Sequence, residues 1–252
     1  MEPPPLRVLC EDGPVLAVDK PAGLLTQGVP RGVPTLEAQV RDYVKRKYEK
    51  PGNVYLGIPH RLDRPTSGVI VFARNSKAAA RLTEQFHDRR VRKEYLAVVE
   101  SVPDPAEGTL SDRLRKDPDR AHVEVVPPQT PGAKEASLRY RVLDVRHGRA
   151  LLSLEPLTGR MHQLRVQLAS RGWPVVGDVQ YGWGASEARG ERPEAREDER
   201  RESPASGRSP LASDAIALHA RRLTILHPVR YDELTIEAPV PATWAAFGFG
   251  SA

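Results

Sequence analysis

Apolar residues fall into short blocks along this chain, each closed by proline, glycine or charge. Val15-Leu16-Ala17-Val18 predicts a buried strand, ended by Lys20-Pro21-Ala22-Gly23, because Pro and Gly force the chain out of a sheet. Thr35 then reads as an N-cap, with Leu36, Val40, Tyr43 and Val44 at helical spacing behind it. Val69-Ile70-Val71-Phe72 predicts a second buried strand, followed from about Ser76 by a helix with Ala79, Leu82 and Phe86 on one face. Tyr95-Leu96-Ala97-Val98-Val99 is a third strand. Further strands are expected at His122–Val126, Ser137–Val145, Ala150–Leu154, Leu223–Leu226 and Leu234–Ile236, joined by turns such as Pro127-Pro128 and Pro131-Gly132. Many strands with few, short helices predict an α+β fold: a mixed, largely antiparallel sheet flanked by helices. No internal repeat or domain linker interrupts the pattern, so residues 1–252 are read as a single domain. The stretch 185–214 is the exception. It is rich in Arg, Glu, Ser, Pro and Gly and is expected to form a disordered insertion, since it has too little apolar surface to offset its ordering entropy.

Composition narrows the function classes. Hydrophobic residues make up 39% of the 252 and charged residues 28%, and no apolar run is long enough to span a bilayer. The start, Met1-Glu2-Pro3-Pro4-Pro5, lacks the basic and apolar regions of a secretory signal. One cysteine, Cys10, excludes internal disulfides and Cys-pair zinc sites. These features predict a soluble, cytoplasmic protein. The net charge of +5 points only mildly to a polyanionic partner. Its distribution says more: between Arg74 and Lys93 stand Arg74, Lys77, Arg81, Arg89, Arg90, Arg92 and Lys93 against Glu84 and Asp88. Such a run is either a solvated helix face or a nucleic-acid surface, and an adjacent active site would favour the second.

Two constellations carry candidate chemistry. In His60-Arg61-Leu62-Asp63-Arg64-Pro65-Thr66-Ser67-Gly68 a carboxylate sits between arginines on a Pro-Thr-Ser-Gly turn, just before a buried strand. Pro biases Arg64 toward extended backbone and Gly permits a sharp change of direction. The turn either presents Asp63 at a strand edge or holds an ordinary surface ion pair. In Leu157-Thr158-Gly159-Arg160-Met161-His162-Gln163-Leu164-Arg165 a turn opens a helix whose expected buried stripe is Met161, Leu164 and Leu168. At about 100° per residue Arg165 falls at the edge of that stripe, within reach of a partly buried carboxylate, while His162 and Gln163 are expected at a pocket mouth. Gly177-Asp178-Val179-Gln180-Tyr181-Gly182 is a Gly-flanked turn with no signal of its own.

Taken in order, these motifs with Asp19-Lys20-Pro21-Ala22-Gly23, Lys93-Glu94-Tyr95 and Leu218-His219-Ala220 resemble the RluA-type pseudouridine synthases from about residue 12 to about residue 245. The resemblance implies isomerisation of uridine within RNA. The nitrogen–ribose bond breaks, the uracil turns over, and carbon 5 joins the same ribose carbon. No redox change or net transfer occurs, so no cofactor and no metal is implied. Asp63 is implied as the reacting carboxylate, either attacking the sugar or removing a neighbouring ribose proton. Arg165 is expected to hold it ionised. Tyr95 is expected against the uracil, although a core aromatic on a strand would look the same. Arg61 is expected to contact phosphate or fill the gap left by a flipped uridine. The RNA is further expected on His60, Arg160, His162 and Gln163, and on Arg89, Arg90, Arg92 and Lys93 of the basic run.

Two departures from the family pattern stand out. Many members carry a small RNA-binding module before the catalytic domain, and none is expected here, which favours a compact stem-loop in ribosomal or transfer RNA. The 185–214 stretch is also longer than the turn the family pattern calls for. The expected enzyme is a monomer. A non-catalytic RNA-binding protein would share the basic surface, and a glycosidase fits worse because no second acid occupies a comparable turn.

Overall fold

In a computed structural model describing residues 4–28, 33–182 and 215–249, ten strands form one mixed sheet. In chain order the elements are β1 (Arg7–Asp12), β2 (Val15–Lys20), α1 (Leu36–Lys47), β3 (Ser67–Ala73), α2 (Ser76–His87), β4 (Arg92–Val99), β5 (Glu107–Lys116) and β6 (Val123–Val126). They continue with β7 (Lys134–Arg146), β8 (Arg149–Pro156), α3 (Gln163–Ala169), β9 (Leu218–Leu226) and β10 (Glu233–Glu237), and a 3-10 turn at Ala242–Phe247. The strand order is β1-β2-β3-β9-β4-β8-β7-β5-β6, with β10 also paired to β9. The expected insertion at 185–214 lies outside the described residues. Among those residues no helix is long and apolar enough to cross a membrane.

The sheet is antiparallel except at one junction, where β3 and β9 run parallel over Ser67–His219 and Gly68–Ala220 only. Gly68 makes that junction possible. Its φ is +114°, and a Cβ there would lie 2.3 Å from the Ala220 carbonyl oxygen. The expected strand at Val69–Phe72 is thus β3, buried along its whole length. Both faces are covered, which explains an apolar run rather than an alternating one. Leu16, Val18, Ile70 and Phe72 pack with Leu36, Val40 and Val44 of α1 on one face. Val15, Ala17, Val69 and Val71 pack with Ala78 and Leu82 of α2 on the other.

Capping follows the sequence. Thr35 Oγ1 accepts the Ala38 N–H at 3.2 Å and Asn75 Oδ1 the Ala78 N–H at 2.8 Å. In α2 the fully buried side is Ala78, Leu82 and Gln85, with the expected Ala79 and Phe86 half-buried beside it. Helix α3 starts later than expected, at Gln163, so Met161 precedes it. Its Leu164 and Leu168 join Leu152, Leu154 and Trp244 in a third core against β4 and β8.

Candidate active site

The two constellations meet over the end of β4, on either side of one cleft of about 650 Å³. The first enters as a turn whose carbonyls are each tied down. Leu62 accepts from the Thr26 hydroxyl (3.0 Å), Asp63 from the Thr66 N–H (3.1 Å) and Pro65 from the Ile216 N–H (3.3 Å). The Arg64 carbonyl accepts both from Lys20 Nζ (3.0 Å) and from the Gly23 N–H (2.9 Å). The backbone carbonyls from Leu62 to Pro65 are thereby satisfied, and the Asp63 side chain is presented from a fixed base. Lys20 makes a second bond to the Pro21 carbonyl at 2.9 Å and is wholly buried; burial pulls its pKa down to about 7. Thr66 lies deep in the wall, and its hydroxyl has no hydrogen-bond partner among the described residues.

His60 anchors the other end. Its Nε2 accepts the Val71 N–H at 3.0 Å and its ring stacks on Phe86 at 4.4 Å. Burial drives its pKa to about 3, so it is neutral and braces the wall, where direct contact with RNA was expected.

The second constellation supplies the opposite wall. Gln163 was expected at the mouth; it lines the cleft but is buried, and both ends of its amide are engaged: it accepts from the Thr158 hydroxyl (2.8 Å) and the Arg160 N–H (3.0 Å) and donates to the Ser137 carbonyl (3.0 Å). That clasp holds the loop in which Arg160 Nε donates to the Glu135 carbonyl at 3.0 Å. Arg165 was expected to pair with Asp63, and its Nη1 does lie 3.6 Å from Asp63 Oδ2. Its tight partner is Asp178, bonded to Nε at 2.6 Å and to Nη2 at 2.9 Å, with both side chains buried. Burial alone would weaken the guanidinium charge, but the hydrogen bond and charge of Asp178, with Asp63 behind them, raise its pKa overall. Asp178 is held in turn by the N–H groups of Gln180 (3.0 Å) and Tyr181 (3.1 Å). The Gly177–Gly182 turn is therefore part of the site, which spacing alone did not reveal; its presence among the family motifs was the only signal.

Tyr95 and Lys93 reach the cleft from β4, two residues apart. Burial, with the Asp63 charge, raises the Tyr95 pKa and keeps the phenol protonated. Burial and the neighbouring Arg89 lower that of Lys93. Among the described residues, Arg61, Arg89, Lys93, Arg160 and Arg165 line the cleft with Asp63 as its one carboxylate, so the walls favour an anionic ligand. The expected basic surface is otherwise dispersed. Arg90 pairs with Glu84 and Asp88, Arg92 with Glu233, and neither lines the cleft. Arg74 pairs with Glu11, and Arg81 lies over the Tyr231 ring.

Comparison with known proteins agrees with this geometry. A family model described as RNA pseudouridylate synthase matches residues 14–170. The dual-specificity RNA pseudouridine synthase RluA of Escherichia coli K12 is 34% identical over 238 residues, 94% of each chain. The ribosomal large subunit pseudouridine synthase D of Xylella fastidiosa is 35% identical over 246 residues, 94% of this chain and 66% of that one. Among solved structures, human RNA pseudouridylate synthase domain containing 4 superposes with a TM-score of 0.71 at 25% identity, covering 95% of this chain and 90% of the other. The matched segment carries Asp63, Tyr95 and Arg165, and likeness to these relatives runs nearly the whole length: the chain belongs to the RNA pseudouridylate synthase family.

Proposed function

We propose that this enzyme isomerises uridines in structured RNA, ribosomal or transfer, with Asp63 as the reacting carboxylate. The observation that carries the reading is a carboxylate on a turn whose carbonyls are bonded, facing a guanidinium at 3.6 Å in a cleft whose other charged groups, among the described residues, are cationic. The names of the relatives support an RNA substrate, one of them being called ribosomal and another dual-specificity.

The residues divide the work as follows. Arg165 sets its fixed positive charge 3.6 Å from Asp63 while the nitrogen–ribose bond breaks. Tyr95, protonated and half-buried, packs against the released uracil and lies near the carbon 5 proton that must leave. Arg61, exposed at the rim, occupies the space of the extruded nucleotide or its phosphate. Arg89, Lys93 and Arg160 take the backbone phosphates, and His162 faces Asp63 at 3.9 Å. The company of RNA-modifying relatives supports the cytoplasm as its place.

The test is release of tritium from carbon 5 of labelled uridine in RNA. Wild-type protein releases it; Asp63→Asn binds the same RNA with affinity within about twofold and releases none, because the amide keeps the size and shape of the carboxylate without its charge, basicity or nucleophilicity. Turnover by that variant would remove Asp63 from the chemistry.

A further inference from the structure

His162 precedes α3 with φ at +50°, a left-handed backbone that residues other than glycine seldom adopt. That backbone turns its ring between two partners. Nδ1 lies 2.9 Å from the Tyr181 hydroxyl and Nε2 lies 3.9 Å from Asp63 Oδ2. The Tyr181 oxygen already accepts the Val123 N–H at 3.0 Å. Its single proton is then available for Nδ1, and an imidazole accepting at Nδ1 carries its own proton on Nε2. Tyr181 is held rigidly in this role, with Arg165 4.9 Å over its ring and His122 stacked at 5.1 Å. Burial, the largest influence on each, lowers the pKa of His162 and raises that of Tyr181 to about 12, so both are neutral near pH 7.

We infer that His162 is a positioning residue of the isomerisation: Tyr181 fixes it with its proton on Nε2, and that N–H joins Arg165 in holding one oxygen of Asp63. Arg165 Nη1 approaches the same Oδ2 at 3.6 Å. Two donors thus converge on one carboxylate oxygen, and Oδ1 is left to face the ribose. The 3.9 Å gap is longer than a hydrogen bond and closes when a nucleotide fills the cleft, as donors in unoccupied sites commonly do. The inference rests on Asp63 being the reacting group.

Its first test needs no turnover. The full chain is labelled with ¹⁵N-histidine, the His162 signals are assigned by their loss in His162→Gln, and the nitrogen–proton couplings report the tautomer. The Nε2–H form is expected; the Nδ1–H form would overturn the inference. The second test compares two amides. Gln places its NH₂ near the position of Nε2, whereas Asn places it near Nδ1. His162→Gln should keep kcat within about fivefold of wild type and His162→Asn should lose about fiftyfold, both with KM within about twofold. Equal rates for the two variants, whether both fast or both slow, would overturn it. Turnover by Asp63→Asn would instead sink the reading beneath it and leave the tautomer measurement standing.

Discussion

Arg165 is bound far more tightly by Asp178 than by Asp63: two bonds of 2.6 and 2.9 Å hold Nε and Nη2, leaving Nη1 to reach Asp63 at 3.6 Å. A guanidinium fixed on one side by a buried carboxylate can be shared with a reacting one without moving toward it. Asp178→Ala strips that buried cation of its tight partner and should cost about 3–5 kcal/mol of stability, with at least a tenfold loss of turnover. Adding Arg165→Met should restore most of the stability by removing the orphaned charge, and none of the activity. Urea denaturation and tritium release on both variants check this. Recovery of activity in the double variant would show that the pair serves only the fold.

Gly68 should be the least replaceable glycine near the site. A Cβ would meet three backbone atoms of Ala220, at 2.3, 2.6 and 2.7 Å, and backbone cannot swing aside as a flexible side chain can. Gly68→Ala should therefore part β3 from β9 and cost about 3 kcal/mol or more. Gly132→Ala is the matched control, since φ there is +76° with nothing within 4 Å, and it should cost only about 1 kcal/mol. Calorimetric melting of the two variants separates close approach from backbone strain. Equal losses would mean that the junction yields.

Lys20 predicts an alkaline rise in stability. Its Nζ has two carbonyl partners, which suits a neutral amine with two N–H groups better than an ammonium with three. Burial depresses its folded pKa to about 7, against 10.5 for an ordinary lysine. Between those values the unfolded chain holds the extra proton, so stability should rise with pH by up to about 1.4 kcal/mol per unit. Below pH 7 both states are protonated and this contribution is flat at its lowest. Lys20→Met removes the slope and leaves the Pro21 carbonyl without its lysine donor. Urea midpoints for both proteins from about pH 6.5 to 9.5 should diverge in favour of wild type as pH rises. A constant difference would show that Lys20 is charged in the fold.

How far each feature could be read from the sequence depended on whether its cause was local. The strand at Val69–Phe72 and the Thr35 cap were legible because an apolar run bounded by glycine, and a hydroxyl before a helical stripe, fix structure within a few residues. Strand β5 was not, because only Leu110 and Leu114 of its ten residues are buried and the others read as a polar loop. Strand β1, whose Arg7–Asp12 segment is mostly half-buried, escaped for the same reason. Asp63 stood out by its turn, whereas Asp178 did not. Its importance comes from a pairing 13 residues distant in sequence, which periodicity does not encode. The Arg74–Lys93 charge excess was visible, but helix α2, the turn after it and the start of β4 aim its members in different directions. His162 looked like a helix residue, and only its left-handed backbone shows why it faces Asp63.

That dispersal of charge gives the last prediction. Arg89 and Lys93 line the cleft, whereas Arg92 is engaged through both outer nitrogens with Glu233, at 2.8 Å each, outside it. A cation that neutralises a phosphate releases a counterion, so its loss should flatten the dependence of RNA affinity on salt by about one unit of slope. Arg89→Ala and Lys93→Ala should each do so, with weaker binding at low salt. Arg92→Ala should leave slope and affinity nearly unchanged, because an exposed pair contributes little and its charge is already met. Filter binding of one structured RNA across a salt series measures all three. A slope change in Arg92→Ala matching that in Arg89→Ala would place RNA on the Arg92–Glu233 surface across β9 as well as in the cleft.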